Sequence, residues 1–306
     1  MRIAFFGTPE FAVPSLEALL DLGETVVTVV TQPDRPRGRS HSTVTPPPIK
    51  VRAHAAGLPV LQPVRPIGAE FLDSLRAANP DLGVVVAYGH VLRPAVLGVP
   101  RLGMINVHAS LLPRWRGAAP IQWAIAQGDS VTGVTIMTME AGLDSGPIVL
   151  ARETPIGPEE TGGQLMARLA ELGAAALAEA VPRYRGDPPI GAPQDPALAT
   201  LAPKIGHEVA RIDWTRPAGA VAAAIRAFDP IPGAWTTFGD AEVKTFRPRI
   251  AGFGGTPGSV LVLEPLTVAT GEGAVVLGEV QPAGKSRMGA AAWLRGRGLR
   301  LGDRFR

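Results

Sequence analysis

The chain has 306 residues, 46% of them hydrophobic and 19% charged, which is ample apolar material and more length than one core usually serves. Its formal net charge is only +3, and it has no cysteine, which excludes disulfide staples, thiolate metal sites and a cysteine nucleophile. The opening MRIAFFGTPEF has neither the basic start nor the apolar core of a signal peptide, and no run approaches the ~18 apolar residues of a membrane span, so a cytoplasmic protein is expected.

RIAFFG, residues 2–7, reads as a strand that ends in glycine, and helical spacing follows from Pro14 to Leu20. Val26–Val30 (VVTVV) and Gly83–Ala87 (GVVVA) are continuous apolar runs of the kind buried on both faces, with a helix expected over Phe71–Ala78 between them. Met104–Val107 (MINV) and Val134–Met139 (VTIMTM) read as further strands flanking a helix over Pro120–Gln127, and a last helix spans Thr161–Val181. Strands alternating with helices predict a doubly wound, mostly parallel α/β sheet.

Arg183–Pro196 (RYRGDPPIGAPQDP) is so rich in proline and glycine that it is expected to join neither sheet nor helix. The expected division is therefore a first domain over 1–187, a linker over 188–206 and a second domain over 207–306. In the last part, one helix over Pro217–Phe228 is followed by short strand-like runs at Ala234–Phe238, Val243–Phe246, Ser259–Leu263, Leu266–Ala269 and Ala274–Val280, which suggests a small antiparallel barrel. This part is also the basic one. From His207 onward there are 13 Lys and Arg against 9 Asp and Glu, whereas the first 206 residues carry 17 against 18. Such an excess suits a polyanionic partner, although a solvated face in an arginine-rich chain accounts for it equally well.

The chemistry is concentrated in Asn106–Trp123 (NVHASLLPRWRGAAPIQW). Strand alternation puts Asn106 and His108 on one face near the carboxyl end of MINV, where open α/β sheets bind ligands. An amide can donate to a developing oxyanion, and an imidazole can exchange the proton of an attacking amine. A polar pair making local hydrogen bonds at a strand end would look the same. Asp144, in the turn of AGLDSGPI after VTIMTM, brings a carboxylate to the same edge if the two strands are neighbours, where it would orient the imidazole. Aspartate in a glycine-flanked turn is also ordinary turn chemistry.

These strings resemble the methionyl-tRNA formyltransferase family. NVHASLLPRWRGAAPIQWAI, TGVTIM and GLDSGPI carry the likeness, with FFGTPEFAVPSLEAL, TQPDRPRGR, VVVAYG, RIDW, IRAFDPIPGAW and QPAGK in the same order, so that it spans essentially the whole chain. The Asn-x-His-x-Ser-Leu-Leu-Pro block and the later Asp-Ser-Gly are common to folate-dependent formyltransferases and identify only the chemistry. RWRGAAPIQWAI, the TQPDRP loop and the C-terminal motifs are what point to the tRNA enzyme.

The resemblance implies that Asn106, His108 and Asp144 are the catalytic trio. The donor would be 10-formyltetrahydrofolate, held beside Ser110, Leu111, Leu112 and Pro113 and beside the loop carrying Tyr88, Gly89 and Leu92. The acceptor would be initiator methionyl-tRNA, and the second domain an oligonucleotide-binding-type barrel lying along it.

The loop Gln32–Ile49 is far longer than a normal strand-to-helix turn and carries Arg35, Arg37 and Arg39. In the resembled family this insertion reaches toward the acceptor end of tRNA, which makes Arg37 and Arg39 candidate contacts. This chain has Ser40, His41 and Ser42 where lysines commonly follow, which implies fewer phosphate contacts. Lys204, Lys285, Arg287 and Arg295 are further candidates, each also readable as a solvated surface charge. For Trp115 and Trp123, packing is a better expectation than base stacking.

Other classes fare worse. Gly7-Thr8-Pro9 lacks the later glycines of a dinucleotide fingerprint, no P-loop lysine is present, and the histidines at 41, 54, 90, 108 and 207 show no metal-ligand spacing. Neither a nucleotide cofactor nor a metal is therefore expected. Formyl transfer to a small amine would use the same trio without needing the basic second domain, and a silent RNA-binding protein would not need the trio. A monomer is the default expectation.

Overall fold

The computed structural model describes residues 1–37, 43–186, 188–296 and 299–306, with only the main chain for Arg37 and Thr43. In chain order the elements are β1 (Arg2–Gly7), α1 (Val13–Asp21), β2 (Thr25–Val30), β3 (Arg35–Arg37), β4 (Thr43–Thr45), α2 (Pro48–Ala55), β5 (Val60–Leu61), α3 (Ala69–Ala77), β6 (Leu82–Val86), α4 (Pro94–Leu97), β7 (Met104–His108), α5 (Pro120–Ala126), β8 (Val131–Thr138), β9 (Ile148–Pro155) and α6 (Gly162–Ala180). They continue with α7 (Ala218–Ala227), β10 (Ala234–Phe238), β11 (Ala241–Ala251), β12 (Val260–Val262), β13 (Thr267–Ala269), β14 (Ala274–Pro282), β15 (Met288–Gly289) and α8 (Ala290–Leu294). Two compact units form. One comprises Met1–Pro120, Thr132–Thr154 and Met166–Ala202; the other comprises Ile121–Val131, Pro155–Leu165 and Pro203–Arg306.

In the first unit a seven-stranded sheet runs in the order β5-β2-β1-β6-β7-β8-β9. The pairs from β5 through β7 are parallel. Their β-branched runs are buried because both faces are covered: Phe6, Val30, Val85 and Met104 share one core cluster with Phe71 and Leu75 of α3. On the opposite face Val107 and Val134 lie under Gly173 of α6, where a methyl would come within 2.9 Å of Val107. Each such fully buried aliphatic side chain contributes roughly 1.5–3 kcal/mol.

The expectation of parallel neighbours fails at the pair that matters most. β7 and β8 are antiparallel, with Ile105 opposite Thr138 and His108 opposite Thr135. The chain therefore leaves β8 beside the beginning of β7, and the turn carrying Asp144 has to fold back to reach His108. β9, an edge strand not anticipated in the sequence, receives that turn: Thr138 N donates to Pro147 O at 2.9 Å. The Gln32–Ile49 stretch, expected as an irregular loop, contains an antiparallel strand pair in which Arg35 pairs with Thr45 and Arg37 with Thr43. Its base is pinned by Asp34, which accepts from Lys50 Nζ at 2.7 Å and Gln62 Nε2 at 2.8 Å. Hydrogen bonds from Gln62 and Lys50 hold the Asp34 carboxyl below its usual range.

The second unit carries the antiparallel path β10-β11-β14-β13-β12, with β15 paired to β14. One continuous β11 replaces the short strand expected at Val243–Phe246. The path itself is open. Phe305 bridges Phe238 beside β10, and Arg304 bridges Ser259 beside β12. Trp214, Phe238, Trp293 and Phe305 form the aromatic core here, with ring centroids 5.4–6.2 Å apart.

Candidate active site

His108 is the last residue of β7 and is only 5% exposed. Its Nε2 lies 2.9 Å from the Trp115 carbonyl oxygen. A carbonyl can only accept, so this contact assigns a proton to Nε2 and leaves Nδ1 as the nitrogen that exchanges one. Nδ1 lies 3.7 Å from Asp144 Oδ2, facing the carboxylate but beyond hydrogen-bond length. Oδ2 in turn accepts from Gly117 N at 2.8 Å, which fixes the carboxylate to the loop that also holds the imidazole.

Asn106 lies two residues earlier in β7, on the same face by strand alternation. It is partly exposed, and its side-chain amide has no hydrogen-bond partner among the described residues. The amide, imidazole and carboxylate expected from sequence thus come from one strand and one folded-back turn. Asp144 has φ +45° and Trp115 φ +63°, both left-handed, so neighbouring contacts must hold these residues in place.

The loop between His108 and Gly117 is fastened mainly through its main chain. Thr135 Oγ1 donates to Ser110 O at 2.7 Å and accepts from Leu112 N at 3.1 Å, while Ser110 Oγ donates to Arg114 O at 2.6 Å. The Leu112–Pro113 peptide is cis. Gly117, at φ +124°, lies so close to the 199–202 strip that a methyl would sit 2.8 Å from Ala202 O.

These contacts occupy polar groups of the Ser110–Pro113 turn. The Ser110 side chain and the Leu112 N–H face inward, whereas Leu111 and Pro113 are partly exposed. Tyr88 and Leu92 also turn their side chains inward. They are 1% and 5% exposed members of the core, and burial pushes the Tyr88 hydroxyl up to about 12. Tyr88 O accepts from Thr8 Oγ1 and Gln32 Nε2. What this loop presents outward is Ala87, Gly89 and Val91.

The cationic candidates divide. Arg39 lies outside the described residues, and of Arg37 only the strand position in β3 is described. Lys204, Lys285 and Arg295 are exposed. Arg287 is committed elsewhere: Asp229 binds it at 2.8 and 3.1 Å, Glu279 takes its Nε, and its guanidinium sits 3.9 Å from the Phe246 ring centre. These contacts give the Arg287 side chain a structural role within the second unit. Trp115 is buried, with Arg114 stacked on its ring at 4.5 Å, as packing predicts.

Sequence reasoning missed the segment after α6. Expected as a passive linker, it bridges Ile148 through Ala192 and Arg116 through Leu201, so it runs along the candidate site. Its only forward signal is the polar triplet Gln194, Asp195 and Thr200 within a proline-rich stretch.

An amide, an imidazole and a carboxylate on a Rossmann-like sheet, followed by a separate antiparallel β unit, are the features of a formyl transferase. Family models agree: "Formyl transferase" matches residues 1–181, and "Formyl transferase, C-terminal domain" matches residues 204–298. Within that class the chain belongs to the methionyl-tRNA formyltransferase family. It is 47% identical to the methionyl-tRNA formyltransferase of Citrifermentans bemidjiense over 99% of this chain and 95% of that one, and 48% identical to that of Myxococcus xanthus over 99% and 97%.

Solved structures share the fold. HypX from Aquifex aeolicus in complex with tetrahydrofolic acid superposes with TM-score 0.65 at 21% identity; the match covers 96% of this chain and 47% of HypX, so this chain spans about half the length of that protein. An N-formyltransferase from Helicobacter canadensis, bound to folinic acid and dTDP-3-aminofucose, superposes with TM-score 0.67 at 15% identity, covering 90% of this chain and 97% of that one.

Proposed function

We propose that this chain transfers the formyl group of 10-formyltetrahydrofolate to the α-amino group of initiator methionyl-tRNA, giving formylmethionyl-tRNA for translation initiation. The observation that carries the reading is His108 Nδ1 facing Asp144 Oδ2 at 3.7 Å, with an Asn106 amide on the same strand face that has no partner among the described residues.

The neutral amine attacks the formyl carbon. As the carbonyl becomes a tetrahedral oxyanion, Asn106 Nδ2 and the Nδ1–H of protonated His108 donate to it. The new N–C bond leaves a surplus proton on the attacking nitrogen, while the departing N10 of the folate needs one. His108 Nδ1, with Asp144 beside it, is the exchange point between them. Collapse reforms C=O, breaks the C–N10 bond and releases tetrahydrofolate. No metal is needed for this sequence of steps. The folate lies against Leu111 and Pro113 and the outward edge at Ala87–Val91, while Tyr88, Gly89, Leu92, Ser110 and Leu112 shape that surface.

Residues 1–187 are the catalytic domain in this reading, 188–206 the connection, and 207–306 an oligonucleotide-binding-type barrel. The bridges of residues 304 and 305 to both edges of the open sheet path support the barrel. The tRNA phosphates meet Arg37, Arg39, Lys204, Lys285 and Arg295. The protein acts as a cytoplasmic monomer.

The test is formylation with 10-formyltetrahydrofolate and either initiator methionyl-tRNA or a small primary amine as acceptor. Formylmethionyl-tRNA as the product supports the proposal. Folate consumption with only the small amine, or no consumption at all, overturns it.

A further inference from the structure

Gln194 lies 14 residues beyond the end of α6, in the stretch that its proline content marks as a connection. Its side-chain oxygen accepts from Arg116 Nε at 3.0 Å and Arg116 Nη2 at 2.6 Å. Its amide nitrogen donates to Asp144 O at 2.9 Å and Gly146 O at 2.8 Å. Two donors and two lone pairs exhaust what a glutamine amide can offer, so all four valences are occupied although the side chain is not fully buried.

Two pieces of chain far apart in sequence are joined by this one amide. Arg116 precedes Gly117, whose N–H holds the Asp144 carboxylate, and the two carbonyls on the other side belong to the turn that carries that carboxylate. The turn needs holding, because Asp144 is left-handed and Gly146 packs so tightly that a side chain would collide with Thr138 O. Thr200 extends the strap: its Oγ1 accepts from Trp115 N at 2.9 Å and its carbonyl from Arg116 N at 2.8 Å. Trp115 supplies the carbonyl that orients His108.

We propose that Gln194 is a positioning residue for the transfer reaction, acting through Asp144 by locking the 142–146 turn to the Arg116–Gly117 loop, and that the 194–202 strip is thereby part of the catalytic apparatus rather than a spacer. The inference rests on the formyl-transfer reading above. If the unmodified chain forms no formylmethionyl-tRNA, that reading fails and Gln194 is not at issue.

The test compares Gln194→Ala, Gln194→Glu, Asp144→Asn and the double variant Gln194→Ala with Asp144→Asn. Steady-state formylation of methionyl-tRNA and thermal unfolding are measured for each. A displaced carboxylate costs turnover, so Gln194→Ala lowers kcat roughly 10- to 100-fold while both KM values change little. Gln194→Glu keeps the acceptor for Arg116 but loses the donors to Asp144 O and Gly146 O, and it falls as far as Ala. In the Asp144→Asn background Gln194→Ala has almost no further effect on kcat, the non-additivity expected of one residue acting through another. Full additivity, or a kcat equal to that of the unmodified chain in both single variants, overturns the proposal. Should Gln194→Ala unfold, Gln194→Glu in the two backgrounds answers the same question.

Discussion

The candidate catalytic rim and the cationic surface are built on opposite plans. At the rim each group is held by another: His108 by the Trp115 carbonyl, Asp144 by Gly117 N–H, the Ser110–Arg114 turn by Thr135, and the Asp144 turn by Gln194. Lys204, Lys285 and Arg295 are instead exposed on the second unit. A transition state tolerates little misplacement, so its donors must be fixed in advance. Phosphates attract charge over several ångströms, and each contact adds a small increment. Asn106 is the exception at the rim, since its side-chain amide has no partner among the described residues.

This contrast yields graded expectations. In the proposed mechanism His108→Ala removes both an oxyanion donor and the proton-exchange site, so it should give the largest loss, beyond about 10³-fold in kcat, with tRNA affinity retained in a filter-binding measurement. Loss of binding together with turnover would recast His108 as a folding residue. Asn106→Ala should lower kcat by about 10²- to 10³-fold, or roughly 3–4 kcal/mol, with little change in KM; a pure KM effect would assign it to binding.

Arg287→Ala should act on stability instead, costing on the order of 3 kcal/mol in chemical denaturation, because it strands the nearly buried Asp229. If its main effect were on the salt dependence of tRNA binding, the phosphate role would return. Lys285→Ala is expected to have the smallest effect, weakening tRNA binding several-fold and reducing the slope of log Kd against log salt by about 1.

Legibility in the sequence follows the same division. The buried parallel strands were readable because continuous apolar runs such as VVTVV have one reading once helices alternate with them. The placement of Asn106 and His108 on one face was readable because strand period separates them by two residues. The antiparallel turn of β8 was not, since VTIMTM reads identically in either direction and its partner lies almost 30 residues earlier. Edge strand β9 was hidden by its mixed composition, IVLARETP, half of which faces outward. The strap at Gln194 was invisible for a different reason. Its function lies in side-chain-to-main-chain bonds across 48–78 residues of sequence, and such bonds leave no periodic trace. The pairing of Arg287 was not legible either, because charge alone cannot reveal a buried carboxylate partner such as Asp229.

The most direct test is single-turnover formyl transfer from 10-formyltetrahydrofolate to methionyl-tRNA by Asn106→Ala, with the unmodified chain alongside and acceptor affinity measured independently. A transfer rate two to three orders of magnitude lower at unchanged affinity is the expected result. Transfer at the rate of the unmodified chain would contradict the account, because the oxyanion would then be stabilised somewhere other than this rim.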